Sequence, residues 1–155
     1  MAGFVERWTP VLAVTCVLLA EAAPGARAQS WTFETFEDHR SGGVISQAEV
    51  ADAEGYRMIV RCEDAGQAWL SMRFGQDDPQ WPGDAVALRA RIGSATYDLG
   101  SFQYSLAVYE APVSTEFIAA LRTGGGVTLE GVNFGFERTF GLAGSERALG
   151  NLACG

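Results

Sequence analysis

The chain has 155 residues, of which 48% are hydrophobic, and a formal net charge of −8 at pH 7. This acidic balance disfavours nucleic acids and anionic membranes as partners. Every basic residue other than the single histidine is an arginine, and the absence of lysine excludes Schiff-base chemistry and lysine-dependent phosphate loops.

The N-terminal segment has the pattern of a secretory signal peptide. Residues 11–20 form an uncharged, mostly apolar run, which is shorter than the about 20 residues that a bilayer span needs. Ala26 and Ala28 follow as a small-x-small pattern, so we expect cleavage before Gln29. The alternative is an N-terminal membrane anchor. Cleavage would leave residues 29–155 as one exported, β-rich domain, periplasmic or secreted, with no stable membrane insertion.

Two cysteines remain after this cleavage, Cys62 and Cys154. An even number of cysteines in an oxidising compartment predicts a disulfide between them. The alternatives are a metal pair and a catalytic thiol. A metal site needs three or four ligands and a thiol nucleophile needs a base, and the only histidine that could serve either is His39.

The first half of the exported domain predicts a hairpin after an ambiguous start. Aromatic residues within 31–36 would form a first strand if that segment is extended, and residues 37–43 are typical of a loop. Apolar residues then alternate through 56–62 and again through 69–74. This period of two indicates a pair of strands, joined by a turn at residues 64–66.

The middle of the chain predicts three more strands. A polar loop with two prolines covers residues 76–83. Strands are expected over residues 86–92 and 96–99, since Gly93-Ser94 between them fits a two-residue hairpin turn. A further alternating strand is expected over residues 102–108.

A short helix is expected next. Ser114 is placed to cap its N-terminus, and Phe117, Ile118 and Leu121 form one apolar face. Three glycines at residues 124–126 would end the helix.

The final segment predicts two strands, over residues 127–132 and 134–142, and a last helix capped by Ser145. Arg138 falls on the same face as Phe140, so the second of these strands should be bulged or only partly covered. Cys154 follows the helix directly. The whole pattern predicts a mainly β (α+β) fold with two short helices, an antiparallel, β-sandwich-like single domain whose C-terminal helix is tied down by the disulfide.

Five arginines lie on predicted strands, on the side opposite the apolar alternation. If these strands share a sheet, the arginines form a basic stripe suited to a carboxylate-bearing or anionic partner in the cell envelope. Trp69 falls on the same side, and an exposed aromatic ring beside arginine is typical of a binding hot spot. The alternatives are an ordinary polar face paired with acids, and a Trp69 that packs beneath the N-terminal segment. The arginines are Arg57, Arg61, Arg73, Arg89 and Arg91.

The residues favour binding over catalysis. No catalytic residue, metal or cofactor is expected, because the chain has one histidine and no Ser-His-acid arrangement. We therefore expect a non-enzymatic interaction domain whose partner is an envelope protein or an anionic envelope component. The alternative is a small envelope hydrolase or a protein that binds a small ligand or glycan. That alternative predicts a deep pocket where Asp77, Asp78 and Glu110 converge.

Three segments carry a resemblance to known proteins: residues 58–62 (MIVRC), 116–121 (EFIAAL) and 139–144 (TFGLAG), followed by Cys154. In this order they resemble the VasI family of type VI secretion accessory proteins, over roughly residues 56–154. Similar C-terminal segments occur in the invasion-associated locus B family. The resemblance implies an exported bacterial β-rich domain with an accessory role in a secretion system, and it implies no catalytic residue.

Overall fold

A computed structural model describes residues 29–38, 42–62, 66–73, 83–105, 108–152 and 154. The predicted signal peptide at residues 1–28, His39 and the loop at residues 76–82 lie outside the described residues. Within the described residues, nine strands and two helices follow in the order β1 (Thr32–Glu37), β2 (Val44–Ala51), β3 (Arg57–Cys62), β4 (Ala68–Arg73), β5 (Ala85–Ile92), β6 (Ala95–Ser105), β7 (Val108–Pro112), α1 (Thr115–Thr123), β8 (Gly126–Gly131), β9 (Glu137–Gly141) and α2 (Ser145–Gly150).

The nine strands form one antiparallel sheet in the order β1-β2-β3-β4-β7-β6-β5-β8-β9. The mainly β prediction is therefore confirmed, and both predicted hairpins, β3–β4 and β5–β6, are present. The order of strands in the sheet departs from their order in the sequence after β4, because β4 pairs with β7. This places β5 and β6 on the far side of β7 from β3 and β4.

The residues just before β1 bond to β9, and the sheet curves around a single apolar core. Trp31, just before β1, donates a hydrogen bond from Nε1 to the Gly141 carbonyl of β9 at 3.0 Å. Gly141 in turn donates its backbone N–H to the side chain of Gln29. Inward residues from both halves of the sheet belong to one buried cluster, and Phe102, Phe117 and Phe140 are among its largest fully buried side chains.

The two helices pack against each other. Ser114 caps α1 as predicted, since its Oγ accepts a hydrogen bond from the Phe117 N–H at 3.2 Å. The prediction that Ser145 caps α2 is wrong, because the capping position is Gly144, with φ of +86°. Ser145 is buried, and its hydroxyl donates to the Leu121 carbonyl at 2.8 Å. That hydroxyl satisfies a backbone oxygen in the last turn of α1, where a helix lacks its own donors.

The predicted disulfide between Cys62 and Cys154 is present, with a Cα–Cα distance of 5.2 Å. Cys62 is the last residue of β3 and is buried. Cys154 follows α2, so the bond ties the segment after the last helix to the third strand across a sequence separation of 92 residues.

Strand boundaries differ from the sequence prediction in two places. The segment divided into strands 96–99 and 102–108 is one long strand, β6, that ends at Ser105, and Val108 belongs to β7. A register shift between β5 and β6 explains why the sequence pattern suggested two strands here. Leu88 lies opposite Gly100 and Arg89 opposite Asp98, which leaves Leu99 as an extra residue. The last strand begins at Glu137, three residues later than predicted.

Candidate binding surface

The outward side of β3 and β4 gathers four of the residues singled out from the sequence. Met58, Val60, Leu70 and Met72 point into the core and are fully buried. The alternate positions therefore face away from the core, and we call this surface the β3–β4 outer face. The register sets Arg57 opposite Arg73 and Arg61 opposite Trp69, with Ser71 between Arg73 and Trp69 on β4.

Two glutamates on neighbouring strands pair with arginines of this face. Arg57 Nη1 lies 3.1 Å from Glu49 Oε1 of β2, and Arg61 Nη2 lies 3.0 Å from Glu110 Oε2 of β7. The side chains of Arg61 and Glu110 are 27% and 20% exposed. This partial burial strengthens their attraction, because water screens the two charges less than it would in an exposed pair.

Trp69 is half-buried rather than exposed, and the Arg61 guanidinium carbon lies 6.0 Å from the centre of its ring. Its direct neighbours in the register are Arg61 on β3 and Pro112 on β7. Trp69 therefore packs among outer-face side chains. A cation at this distance lies at the limit of useful attraction to the ring.

Two side-chain groups that β4 contributes to this face are buried without a hydrogen bond from the described residues. Within the described part of the chain, neither Trp69 Nε1 nor Ser71 Oγ makes a hydrogen bond, although both atoms are shielded from solvent. Buried polar groups are nearly always satisfied, and one that is not costs about 1–3 kcal/mol of stability. Both groups lie on β4, two residues apart. A partner that offers acceptors would satisfy them if the side chains that cover them shift.

Arg73 completes the face at its edge. It is exposed, and the described residues provide no ion pair for it. Its cross-strand neighbour Arg57 carries the same charge, which disfavours the pair unless an anion lies nearby. Glu49 neutralises Arg57 and leaves Arg73 available to a ligand.

The remaining two predicted arginines belong to a separate patch. Arg89 and Arg91 lie on the outward side of β5. Since β7 and β6 separate β4 from β5, this patch is about 14 Å from the β3–β4 outer face at a strand spacing of about 4.8 Å. Arg91 pairs with Glu130 and Glu137, and Arg89 lies opposite Asp98 and Glu130 in the register. The five arginines therefore divide into two groups.

Sequence reasoning did not single out Ser71 or Glu49. The signal for Ser71 was available, because it alternates with Leu70 and Met72 and so must share the side of Trp69 and Arg73. Glu49 could not be placed in the same way, because β2 was not predicted.

The carboxylates named for the hydrolase alternative are not brought together among the described residues. Asp77 and Asp78 lie outside those residues, and Glu110 is bonded to Arg61. No three metal-ligating side chains come together within the described ranges. A separate groove of about 410 Å³ lies where the start of α1 meets β6, and its lining includes Tyr97, Asp98, Glu116 and Phe117.

Comparison with known proteins gives one informative likeness. The crystal structure of invasion associated protein B from Bartonella henselae is similar to this chain, with a TM-score of 0.50 and 14% sequence identity, over 79% of this chain and 90% of that one. At this identity the likeness is one of fold alone. The sequence matches no protein-family model and no curated protein. Among the described residues, no helix has the length and apolar character to cross a membrane.

Proposed function

We propose that this protein is an exported, non-enzymatic binding domain whose β3–β4 outer face holds an anionic, acceptor-rich segment of a cell-envelope protein. The observation that carries the proposal is the pair of buried groups, Trp69 Nε1 and Ser71 Oγ, that lack hydrogen-bond partners in the described chain. Arginines on both sides of them add further donors.

The chemistry of the face selects acceptors over donors. An indole N–H can only donate, a guanidinium group can only donate, and a hydroxyl can do either. Carboxylates are the best match, because they accept charge-assisted hydrogen bonds and pair with guanidinium groups in a bidentate arrangement. An aspartate- or glutamate-rich segment would bind the exposed Arg73, and it would reach Trp69 Nε1 and Ser71 Oγ once the side chains that shield them move aside.

Three observations support export. Residues 1–28 have the pattern of a signal peptide, the Cys62–Cys154 disulfide suits an oxidising compartment, and the fold is shared with invasion associated protein B. Periplasmic and secreted locations both fit these observations. The accessory role in a secretion system, which the resemblance to the VasI family implies, stays a prediction.

The second candidate is a protein that binds a small ligand or glycan, and the groove of about 410 Å³ favours it. Its volume falls within the range of small-molecule sites. The groove is separate from the β3–β4 outer face, so variants of each site distinguish the two functions.

Two near-isosteric substitutions test the proposal. Ser71→Ala and Trp69→Phe each remove one unpartnered group and keep most of the side-chain volume. Each should weaken capture of the envelope partner by about fivefold to tenfold, the value of one hydrogen bond. Ser71→Ala should leave the free energy of unfolding unchanged or raise it by about 1 kcal/mol, because an unsatisfied buried group is lost. The measurements are in-cell cross-linking with mass spectrometry, and urea unfolding.

Arg73→Gln and Arg89→Gln form the matched charge control. Both remove one exposed arginine charge, but only Arg73 lies on the β3–β4 outer face. Arg73→Gln should reduce capture and Arg89→Gln should not. Equal capture by wild type, Ser71→Ala and Arg73→Gln would refute the proposal. A ligand that is lost only from variants of the groove would favour the second candidate.

A further inference from the structure

Strand β1 is an open edge of the sheet. In the described chain it pairs only with β2, through six regular antiparallel pairs without a bulge. All six of its residues are exposed. The backbone N–H and C=O groups of alternate residues therefore point away from the sheet. The other end strand, β9, differs, because Gly141 bonds to Gln29 and Trp31.

β1 lacks several of the features that protect edge strands. Proteins commonly blunt an open edge with charged side chains, proline, bulges or a covering element. Two of these are present, since β1 carries two glutamates and α2 lies close to part of it. β1 has no proline and no basic residue, and it carries two exposed aromatic side chains. Phe33 is 36% exposed and Phe36 is 43% exposed. An exposed strand with aromatic side chains is suited to pairing with another strand.

The side chains of β1 follow a three-residue repeat, Thr-Phe-Glu at residues 32–34 and again at 35–37. Because side chains alternate between the two faces of a sheet, each face of the edge presents one phenylalanine and one glutamate. Glu34 and Phe36 lie on one face, and Phe33 and Glu37 lie on the other. A strand that pairs with β1 meets an apolar group and a negative charge on both faces.

We infer that β1 is a docking edge for an extended segment of a basic partner protein, in which a basic residue, an apolar residue and any third residue repeat in that order. Run antiparallel to β1, such a segment sets its basic residues opposite Glu34 and Glu37 and its apolar residues opposite Phe33 and Phe36. Backbone hydrogen bonds to the open edge supply affinity, and the side chains supply specificity.

Charge argues against a second copy of this chain as the occupant. In a fully overlapping antiparallel pair of β1 strands, Phe33 of each copy would face Phe36 of the other, and no glutamate would face a glutamate. The repulsion that disfavours two copies comes instead from the net charge of −8 on each chain. The docking edge is also separate from the β3–β4 outer face, and it selects the opposite charge, so this inference does not depend on the proposed function.

A synthetic peptide tests the inference. The probe repeats arginine, valine and threonine in that order, and its control carries glutamate in place of arginine. Binding to the purified protein is measured by calorimetry at low salt. The variant Glu34→Gln/Glu37→Gln should weaken binding of the probe by about tenfold, the value of two exposed charge pairs. The matched variant Asp84→Asn/Glu146→Gln removes the same charge from exposed positions outside β1 and should bind the probe as wild type does.

Hydrogen exchange identifies where the peptide binds. The probe should slow exchange of the β1 amides that point away from β2, and Arg73→Gln should not alter this protection. Protection elsewhere, equal binding of the glutamate control, or no binding would each overturn the inference. If the protein dimerises and Phe36→Ser abolishes the dimer, a second copy of the chain occupies β1 and the inference is overturned.

Discussion

Arg138 connects β9 to the β2–β3 turn through its guanidinium group. Its Cζ lies 4.3 Å from the ring centre of Tyr56, just before β3, and its Nη2 lies 2.8 Å from Glu54 Oε2 in the β2–β3 turn. The hydrogen bond to Tyr56 raises the pKa of Arg138 above its ordinary value. These contacts explain why a charged residue lies on the same side of β9 as the buried Phe140. The Arg138 side chain is 30% exposed, and its charged end reaches the β2–β3 turn.

Replacing Arg138 with methionine should lower the free energy of unfolding by about 1–2 kcal/mol. Methionine keeps most of the apolar stem and removes the charge, so the variant loses the cation–π contact and the ion pair with Glu54. Thermal and urea unfolding measure the effect. The loss should shrink in high salt, because salt screens the partly exposed ion pair.

The control is Arg147→Met, on the exposed side of α2, which should change stability by less than about 0.5 kcal/mol. Arg138→Lys retains the positive charge and should recover part of the loss. If Arg138→Met is as stable as Arg147→Met, the guanidinium group does not hold β9 against the β2–β3 turn.

At the scale of elements, the turn between α1 and β8 depends on close packing at Gly124. The sequence predicts that the three glycines end the helix, and α1 does end at Thr123. Gly124 has φ of −77° and ψ of 165°, which any residue can adopt. Its lack of a side chain matters for a different reason: a Cβ there would lie 2.6 Å from Ile92 Cγ2 and 2.9 Å from Leu142 Cδ1.

The variant Gly124→Ala should lower the free energy of unfolding by about 1–3 kcal/mol, the cost of overpacking a well-filled core. Gly125→Ala is the matched control in the same turn, because a Cβ at Gly125 meets no atom within 4 Å. The control should be neutral or slightly stabilising, since alanine restricts the unfolded chain. Circular dichroism during thermal unfolding separates the two, and equal melting temperatures would contradict the packing explanation.

Strand β2 shows why some elements could not be predicted. Its inward residues are Ser46, Ala48 and Val50, all buried, and two of these are small or polar. Its exposed end residue Val44 is apolar. The usual alternation of large apolar and polar residues is therefore hidden. In β3 and β4 the inward positions carry Met58, Val60, Leu70 and Met72, so these strands and their hairpin followed from the sequence.

At the scale of the molecule, strand order decides which predicted site residues meet. Alternation alone placed the five arginines and Trp69 on outward sides of strands, and the structure agrees. Alternation says nothing about which strands are neighbours. The β4–β7 pairing, between strands distant in sequence, separates Arg89 and Arg91 from the other three arginines and brings Glu110 beside Arg61. Long-range pairing of this kind depends on the whole core, which local patterns do not encode.

The disulfide links the same distant parts of the chain covalently. It joins β3 to the segment after α2 across a sequence separation of 92 residues, and so restricts the chain from Cys62 onward when unfolded. The chain-entropy model gives a stabilisation of about 4–5 kcal/mol for a loop of this length. Since small domains are stable by about 5–15 kcal/mol in total, this one bond should supply a large fraction of the free energy of unfolding.

Replacing both cysteines, Cys62→Ala with Cys154→Ala, should therefore lower the melting temperature strongly, and reduction of the wild-type protein should have a similar effect. Alanine avoids placing a new hydroxyl at the buried Cys62 position. Thermal unfolding with and without reductant is the measurement, and the double variant, which has no disulfide to reduce, should not respond to reductant. If wild type and the double variant melt at the same temperature, packing of α2 against α1 and the sheet holds the C-terminal segment without the covalent bond. In that case the β3–β4 outer face, whose Arg61 directly precedes Cys62, owes its shape to the sheet pairing alone.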